Sequence, residues 1–406
     1  MKELKVKITP DDTDFQQTLK NIQSGKYTVK VNINGSSVKG ATQNINHMNN
    51  AASKSNSVFG KLKNTISNTF SSGKLAMTGY LAVLRQVNIA AKDAKETIID
   101  MDSAVTNLSV AMNTNRGEAT SYLKTLNEQA IGLKTTTKSA SDAADTWLRQ
   151  GKTIQETQTL IKDSLVFSKV AQLDAADSTN YLTSALNGYK LEAEDAESVI
   201  DKLTAVDAVS ASESGGLALA MSKTASAADM AGISMNRLIG YIAAVKESTR
   251  AADQEVGNAL KTMVSRMNQV KAGKFIDEET GESLNDFEKV MNKVGIAIRD
   301  ANGQFISSEK VLDELGAKFS SFDSVTQRAV ATALGGTHQY EKVIALLSNY
   351  SKALNYSEVA ENSAGSAMKK FENSYLDSLE AKQNELQATL ISDYEFRFVS
   401  SIWEYS

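Results

Sequence analysis

A single proline, Pro10, stands in a chain of 406 residues. Proline lacks an N–H and its ring clashes with the preceding turn, so it breaks helix interiors. Beyond residue 10 nothing of that kind interrupts the chain, and very long helices are permitted. Aromatic residues make up only 6%. With so few large side chains a large compact core is not expected. Alanine, serine, threonine and asparagine are abundant. Small residues on apolar stripes suit thin helix-on-helix packing. The expected fold is therefore mainly α.

The apolar residues then set the kind of helix. Ile45, Met48, Ala52, Ser55, Phe59, Leu62 and Ile66 fall at alternating spacings of three and four. After a Ser/Gly break at 71–73 the ladder resumes with Met77, Tyr80, Leu84, Val87, Ala91, Ala94, Ile98, Met101, Val105, Leu108 and Met112. That spacing is the seam of a coiled coil and predicts self-association through heptad helices. The same stripe also fits a long amphipathic helix lying on a core domain.

Beyond the ladder, glycines and capping residues divide the chain into shorter helices. Gly117, Gly132, Gly151 and Gly188 punctuate residues 115–209, with caps expected at Ser139, Thr153 and Asp174. Gly215-Gly216 is read as a break before a helix that Gly232 ends. Ser234 then caps the next. Leu238, Ile239, Ile242 and Val245 form one apolar stripe, and Val256, Leu260, Met263, Val264 and Met267 another. Residues 151–177 echo 231–253, each running from Gly through a Ser/Thr cap and an amphipathic helix to Ala-Ala-Asp. A repeated helical unit in an antiparallel array would produce that echo. Two hairpins are expected to interrupt it, one turning at Thr280-Gly281 and one at Asn302-Gly303. Helices return at 308–320, 324–334 and 338–353, the second opened by a Ser324–Gln327 capping box.

The expected organisation is a small strand-helix-strand (β-α-β) unit at 1–36, long coiled-coil-like heptad helices at 37–113 and a helical core at 114–272. A hairpin-plus-helices region at 273–354 and a polar helix at 355–390 come next. Residues 391–406 are atypical. Tyr394, Phe396, Phe398, Trp403 and Tyr405 crowd there, so either a second domain begins or the natural reading frame is lost, and the second is the favoured reading.

No constellation for catalysis is legible. The chain has no cysteine, which removes thiol chemistry, disulfides and Cys-built zinc sites. Its two histidines, His47 and His338, read as polar surface or cap residues. GSSVKGA at 35–41 has a phosphate loop's glycine spacing without the Lys-Ser/Thr pair. Asp277-Glu278-Glu279 lacks the alternating oxygen ligands of a calcium loop and reads as a solvated acidic turn. No catalytic, cofactor-binding or metal-ligating residue is therefore nominated, and the chain is read as a non-enzyme. The net charge of −4, with both signs interspersed, gives no nucleic-acid-binding signature. The longest apolar run, at 75–84, is about half of a membrane span, so no transmembrane segment is expected. Met221, Met230, Met235, Met263 and Met267 read as gap-fillers between small-residue helices rather than an adaptable binding surface.

Two blocks carry a resemblance. Residues 215–267 hold three consecutive helices marked at their junctions by Gly215-Gly216, Gly232 and Ser234. Residues 294–347 contain, in order, the turn Asp300-Ala301-Asn302-Gly303, a helix with Leu312-Asp313-Glu314-Leu315, and a helix ending Ala333-Leu334-Gly335-Gly336-Thr337-His338. That order, over roughly residues 140–350, resembles the core domain of phage tail tape measure proteins. The resemblance implies the N-terminal part of a structural phage or prophage protein that sets tail length and occupies the tail tube lumen. Implied partners are tail tube, tail tip and tail assembly chaperone proteins. The implied location is the virion tail, reached from the host bacterial cytoplasm. Members usually run longer, which with the aromatic end implies a truncated copy. Apart from the resemblance, the heptads also fit a bacterial helical coiled-coil adaptor or sensory protein without catalytic activity.

Overall fold

The computed structural model describes residues 99–271, 286–385, 387–389 and 391. Contacts divide the chain into Met1–Asn88 and Ile89–Ser406, and the described residues all belong to the second unit. The β-α-β unit, the ladder at 45–66, most of the ladder at 77–112, the Thr280-Gly281 hairpin and residues 392–406 lie outside them.

Helices supply nearly all of the described structure. A helical run at 99–111 (α1) leads into α2 (Arg116–Gly132), α3 (Thr137–Arg149), α4 (Ile154–Val170), α5 (Ala175–Tyr189) and α6 (Ala196–Asp207). Then come α7 (Ser214–Ala231), α8 (Met235–Thr249), α9 (Asp253–Lys271), α10 (Asp286–Lys293), α11 (Ser308–Lys318), α12 (Ser324–Ser348), α13 (Tyr350–Glu361) and α14 (Ser366–Ser374).

One linker recurs. Asn113, Lys134, Gly151, Gln172, Lys190, Gly232 and Arg250 all have φ between 50° and 84°. Two residues beyond each of the first four, and beyond Gly232, a side chain caps the next helix: Asn115, Thr136, Thr153, Asp174 and Ser234. A left-handed residue closes the finished helix on its own carbonyls, as where Ile233 N–H donates to Ala228 O (2.9 Å). Two residues after it the new cap accepts a free N–H. The echo between 151–177 and 231–253 is this linker used twice.

Several expected boundaries move. The cap of α3 is Thr136, and Ser139 is the residue whose N–H it accepts. α12 is capped by the carboxylate of Asp323 rather than by Ser324, because Asp323 reaches both Val325 N and Thr326 N. Gly215-Gly216 does not break the chain but lies in the first turn of α7. Close approach explains the pair: a Cβ on Gly216 would stand 2.7 Å from the Asp253 carboxylate. Gly188 likewise lies inside α5, where a Cβ would meet Ala225 Cβ at 2.5 Å. The helix expected at 338–353 divides at Asn349, and the final polar helix is interrupted at 375–378. The Asn302-Gly303 turn forms, but only an isolated antiparallel bridge, Arg299 to Phe305, flanks it. No strand forms among the described residues. Backbone bonds close the turn, Asp300 N–H to Gln304 O (2.8 Å) and Ile306 N–H to Ile298 O (3.1 Å), and the Asp300 carboxylate accepts two further N–H groups.

The core also exceeds expectation. One apolar cluster runs from Trp147 to Ala381, and a smaller one joins α1, α2 and α3. α4 divides them, giving Leu160, Val166 and Phe167 to the first and Ile161 and Leu165 to the second. Alanine makes this bulk possible with few aromatics, since short side chains let helix backbones close up. α7 is the hub and packs on α5, α6, α8 and α9. α8 packs on α12 and α13, and α9 on α12. Both expected stripes, Leu238 to Val245 and Val256 to Met267, are buried. Met221, Met263 and Met267 fill this core, whereas Met230 is exposed.

Candidate functional site

One motif residue of 294–347, Asp313, joins a half-buried polar junction whose parts come from three helices. In α11, Leu312 and Leu315 face the core and are fully buried. This turns Asp313 toward α13, where it accepts the Tyr350 hydroxyl proton at 2.8 Å. The Tyr350 hydroxyl also meets that of Tyr241, from α8, at 2.8 Å. Arg237, one turn earlier on α8, pairs with Asp313 at 3.3 Å and with Glu309 at 3.6 Å. Glu309 in turn accepts the Ser234 N–H at 2.8 Å, so the start of α8 is tied to α11. Burial first, then the neighbouring Tyr241 and Asp313, push the Tyr350 hydroxyl far above the usual phenol range. Burial does the same to Tyr241. These hydroxyls stay protonated at neutral pH and act as fixed hydrogen-bond donors, which registers α8, α11 and α13 against each other.

The other motif pieces are structural in the same way. Asp300 Oδ1 accepts the N–H groups of Asn302 and Gln304, both at 2.9 Å, and Gly303 takes φ 77°. Arg299 lies 3.7 Å from the Phe305 ring centre and donates to Glu288 at 3.1 Å. Gly336 has φ 66° and ψ −173°, a backbone region open essentially to glycine alone. It bends α12 at the point where the sequence pattern ends in Gly-Gly. His338, just after the bend, is exposed. His47, GSSVKGA and Asp277-Glu278-Glu279 lie outside the described residues.

A second set of polar contacts was not anticipated. On α6, Asp201 is only 4% exposed and accepts the N–H groups of Gly365 (2.6 Å) and Ala367 (2.8 Å), capping α14 from a distant part of the chain. Asp207 takes Lys370 Nζ at 2.7 Å. Beyond α14, the Tyr375 hydroxyl donates to Lys134 O (2.7 Å), and Lys169 pairs with Glu380 (2.6 Å). Ala388 and Ile391 finish in the smaller core with Met101, Val105 and Leu108. The described residues of 363–391 thus form a strap from α6 back to the first helices. The one available signal was an acid on an apolar stripe: Asp201 sits between Ile200 and Leu203.

Among the described residues no group of three or more His, Asp or Glu is placed to hold a metal ion. Nor, among them, is any helix long and apolar enough to cross a membrane. The polar groups brought together lock helices rather than converge on an open cleft. This defines a helical structural module. The chain belongs to the phage-related minor tail protein family, whose profile matches residues 123–336, more than half of its length. The match begins in α2 and ends at the Gly336 bend. The protein is accordingly a structural component of a phage virion tail. No solved structure matches the chain.

Proposed function

We propose that this protein is a tape measure protein, setting tail length from within the tube lumen. Tube subunits polymerise around it, and the helical module engages tip proteins and assembly chaperones. The carrying observation is the heptad ladder. Its phase is unbroken from Met77 to Met112. Met101, Val105 and Leu108 of the ladder point inward from α1 with at most 6% exposure, and Met112, just beyond α1, is partly buried against the same core. At its described end the stripe is therefore a helix face packed into the module. A helix converts residues into length at about 1.5 Å each, whereas an array folded back on itself does not. The length-setting part then lies outside the described array, and upstream seam positions serve self-association.

The test is electron microscopy of particles whose full-length gene lacks Met77–Thr97, 21 residues or three heptads. Ile98 then takes the seam position of Met77 and the packed part of α1 is untouched. Tails should shorten uniformly by roughly 32 Å. If tails keep their length, the ladder is not part of the ruler. If tails are unaltered when the whole gene is removed, the tape measure reading fails.

A further inference from the structure

Asn-Gly occurs three times in this chain, at Asn34-Gly35, Asn187-Gly188 and Asn302-Gly303. The dipeptide carries its own chemistry. The backbone nitrogen after an asparagine can attack that asparagine's side-chain amide carbon, and glycine has no side chain to obstruct the approach. Attack needs a backbone free to leave its hydrogen bond and turn towards the side chain. Tertiary structure therefore decides which Asn-Gly reacts. The first lies outside the described residues, and the other two stand in opposite surroundings.

Asn187-Gly188 is shut. Both residues lie inside α5, where the Gly188 N–H is turned into the helix ladder. Gly188 is buried, and a Cβ on it would stand 3.0 Å from Ser226 N of α7. Moving this backbone means parting α5 from the hub. Asn302-Gly303 is open. Asp300 and the four residues after it are all exposed, and nothing lies within 4 Å of a Cβ built on Gly303. Among the described residues the Asn302 side-chain amide has no hydrogen-bond partner. The Gly303 N–H does donate to Asp300 O, at 3.0 Å. That bond belongs to an exposed turn flanked by one isolated bridge, so local opening breaks it and leaves the core packed. Arg299 donates to Gly303 O at 3.1 Å, and the Asp300 carboxylate accepts the Asn302 N–H at 2.9 Å, so charges of both signs flank the nitrogen. Access rather than local charge separates the two sites.

We propose that Asn302 is a self-modification site, converted through a cyclic imide with water as the only co-reactant. The Gly303 nitrogen bonds to Asn302 Cγ, and the displaced side-chain nitrogen leaves as ammonia, carrying the Gly303 proton. Water then opens the ring. Attack at the side-chain carbonyl gives aspartate, and attack at the main-chain carbonyl gives isoaspartate, in which the chain runs through Cβ. The sum is amide plus water to carboxylate plus ammonium. Isoaspartate lengthens the backbone between Asp300 and Gln304, which separates the two N–H groups that Asp300 Oδ1 accepts. The turn between α10 and α11 is thereby loosened, and a negative charge is added beside Asp300.

The test holds the folded full chain at pH 8.5 and follows both sites by peptide mass spectrometry, with electron-transfer fragmentation to separate isoaspartate from aspartate. Asn302 should convert at least about tenfold faster than Asn187, because its opening lies at the low end of the local-unfolding scale. Both products should appear, isoaspartate being the mark of the ring. In urea, which removes the helix around Asn187, the two rates should converge. Asn302→Gln, whose side chain would have to close a larger ring, should leave residue 302 unconverted. The proposal is overturned if Asn302 is as slow as Asn187 in the folded chain, if aspartate forms without isoaspartate, or if the same difference persists in urea.

Discussion

A close backbone approach in the hub gives a sharp test, because two opposite effects of one substitution can be weighed. Gly257 lies inside α9 and faces α7. A Cβ there would stand 2.6 Å from Ala220 O and 2.9 Å from Ala220 Cα. Ordinary contact begins near 3.4 Å, so the helices would have to part by about 0.8 Å. The atoms in the way are backbone, and α7 is boxed in there, since Ala220 and Met221 are fully buried. No side chain can turn aside. The same separation stretches the Thr224 Oγ1 to Gly257 O hydrogen bond, now 2.8 Å. Replacing a mid-helix glycine by alanine gains about 1 kcal/mol of helix propensity. Overpacking costs about 1–3 kcal/mol, and rigid neighbours place this site at the upper end. Gly257→Ala should therefore lose about 2 kcal/mol net. Gly132→Ala is the control: that glycine also has helical backbone, but nothing lies within 4 Å of its would-be Cβ. It should gain up to ~1 kcal/mol. Urea unfolding of the full chain, followed by helical circular dichroism, reads both. If Gly257→Ala unfolds at or above the wild-type midpoint, α7 and α9 do not approach this closely and the reasoning fails.

The polar contacts and the linkers give further expected outcomes. Asp201→Ala leaves two N–H groups of α14 without their acceptor and should cost about 2–3 kcal/mol, read as faster protease cleavage within 363–391 while α7 to α9 stay intact. Gln172 is exposed at φ 55°, so Gln172→Gly should raise the melting temperature, by up to ~1 kcal/mol of relieved backbone strain. Unchanged or lowered melting would show that this linker is not left-handed. Asp163 has a raised pKa, so the folded state holds its proton more tightly than the unfolded chain. Its contribution is complete below about pH 4 and is lost as pH rises to about 7, with a ceiling of about 4 kcal/mol. Stability curves of wild type and Asp163→Asn should diverge across that window, and parallel curves would refute it.

The readable part of this fold consists of local signals. Thr153, Asp174 and Ser234 cap helices as their sequence positions require, because a cap needs only its own residue and an N–H two or three further on. Gly232 and Gly336 end or bend helices where the pattern stops, because their backbone angles are open to glycine at little cost. The Asp300–Gly303 turn closes on its own side chain. The error at Ser139 and Ser324 is of the same local kind: a competing cap stood three residues earlier in one case and one residue earlier in the other.

For the described residues, sequence order alone settled that the chain would be mainly helical, where several helices would be capped, and which stripes would face inward, since those properties act over a few residues and one helix turn. Tertiary structure alone decided what the glycines inside helices are for. Gly188 and Gly216 look like breaks from the sequence and turn out to be contact points, as Gly257 is, because only the neighbouring backbone determines whether a missing side chain is needed. It also decided the partners of Asp201, Asp313 and Tyr350, which lie far apart along the chain. A buried charge leaves no periodic mark that names its partner. The strap that joins the last helices to the first is therefore visible only once α4, α6 and α14 are packed together, where Asp201 finds two N–H groups more than 160 residues away.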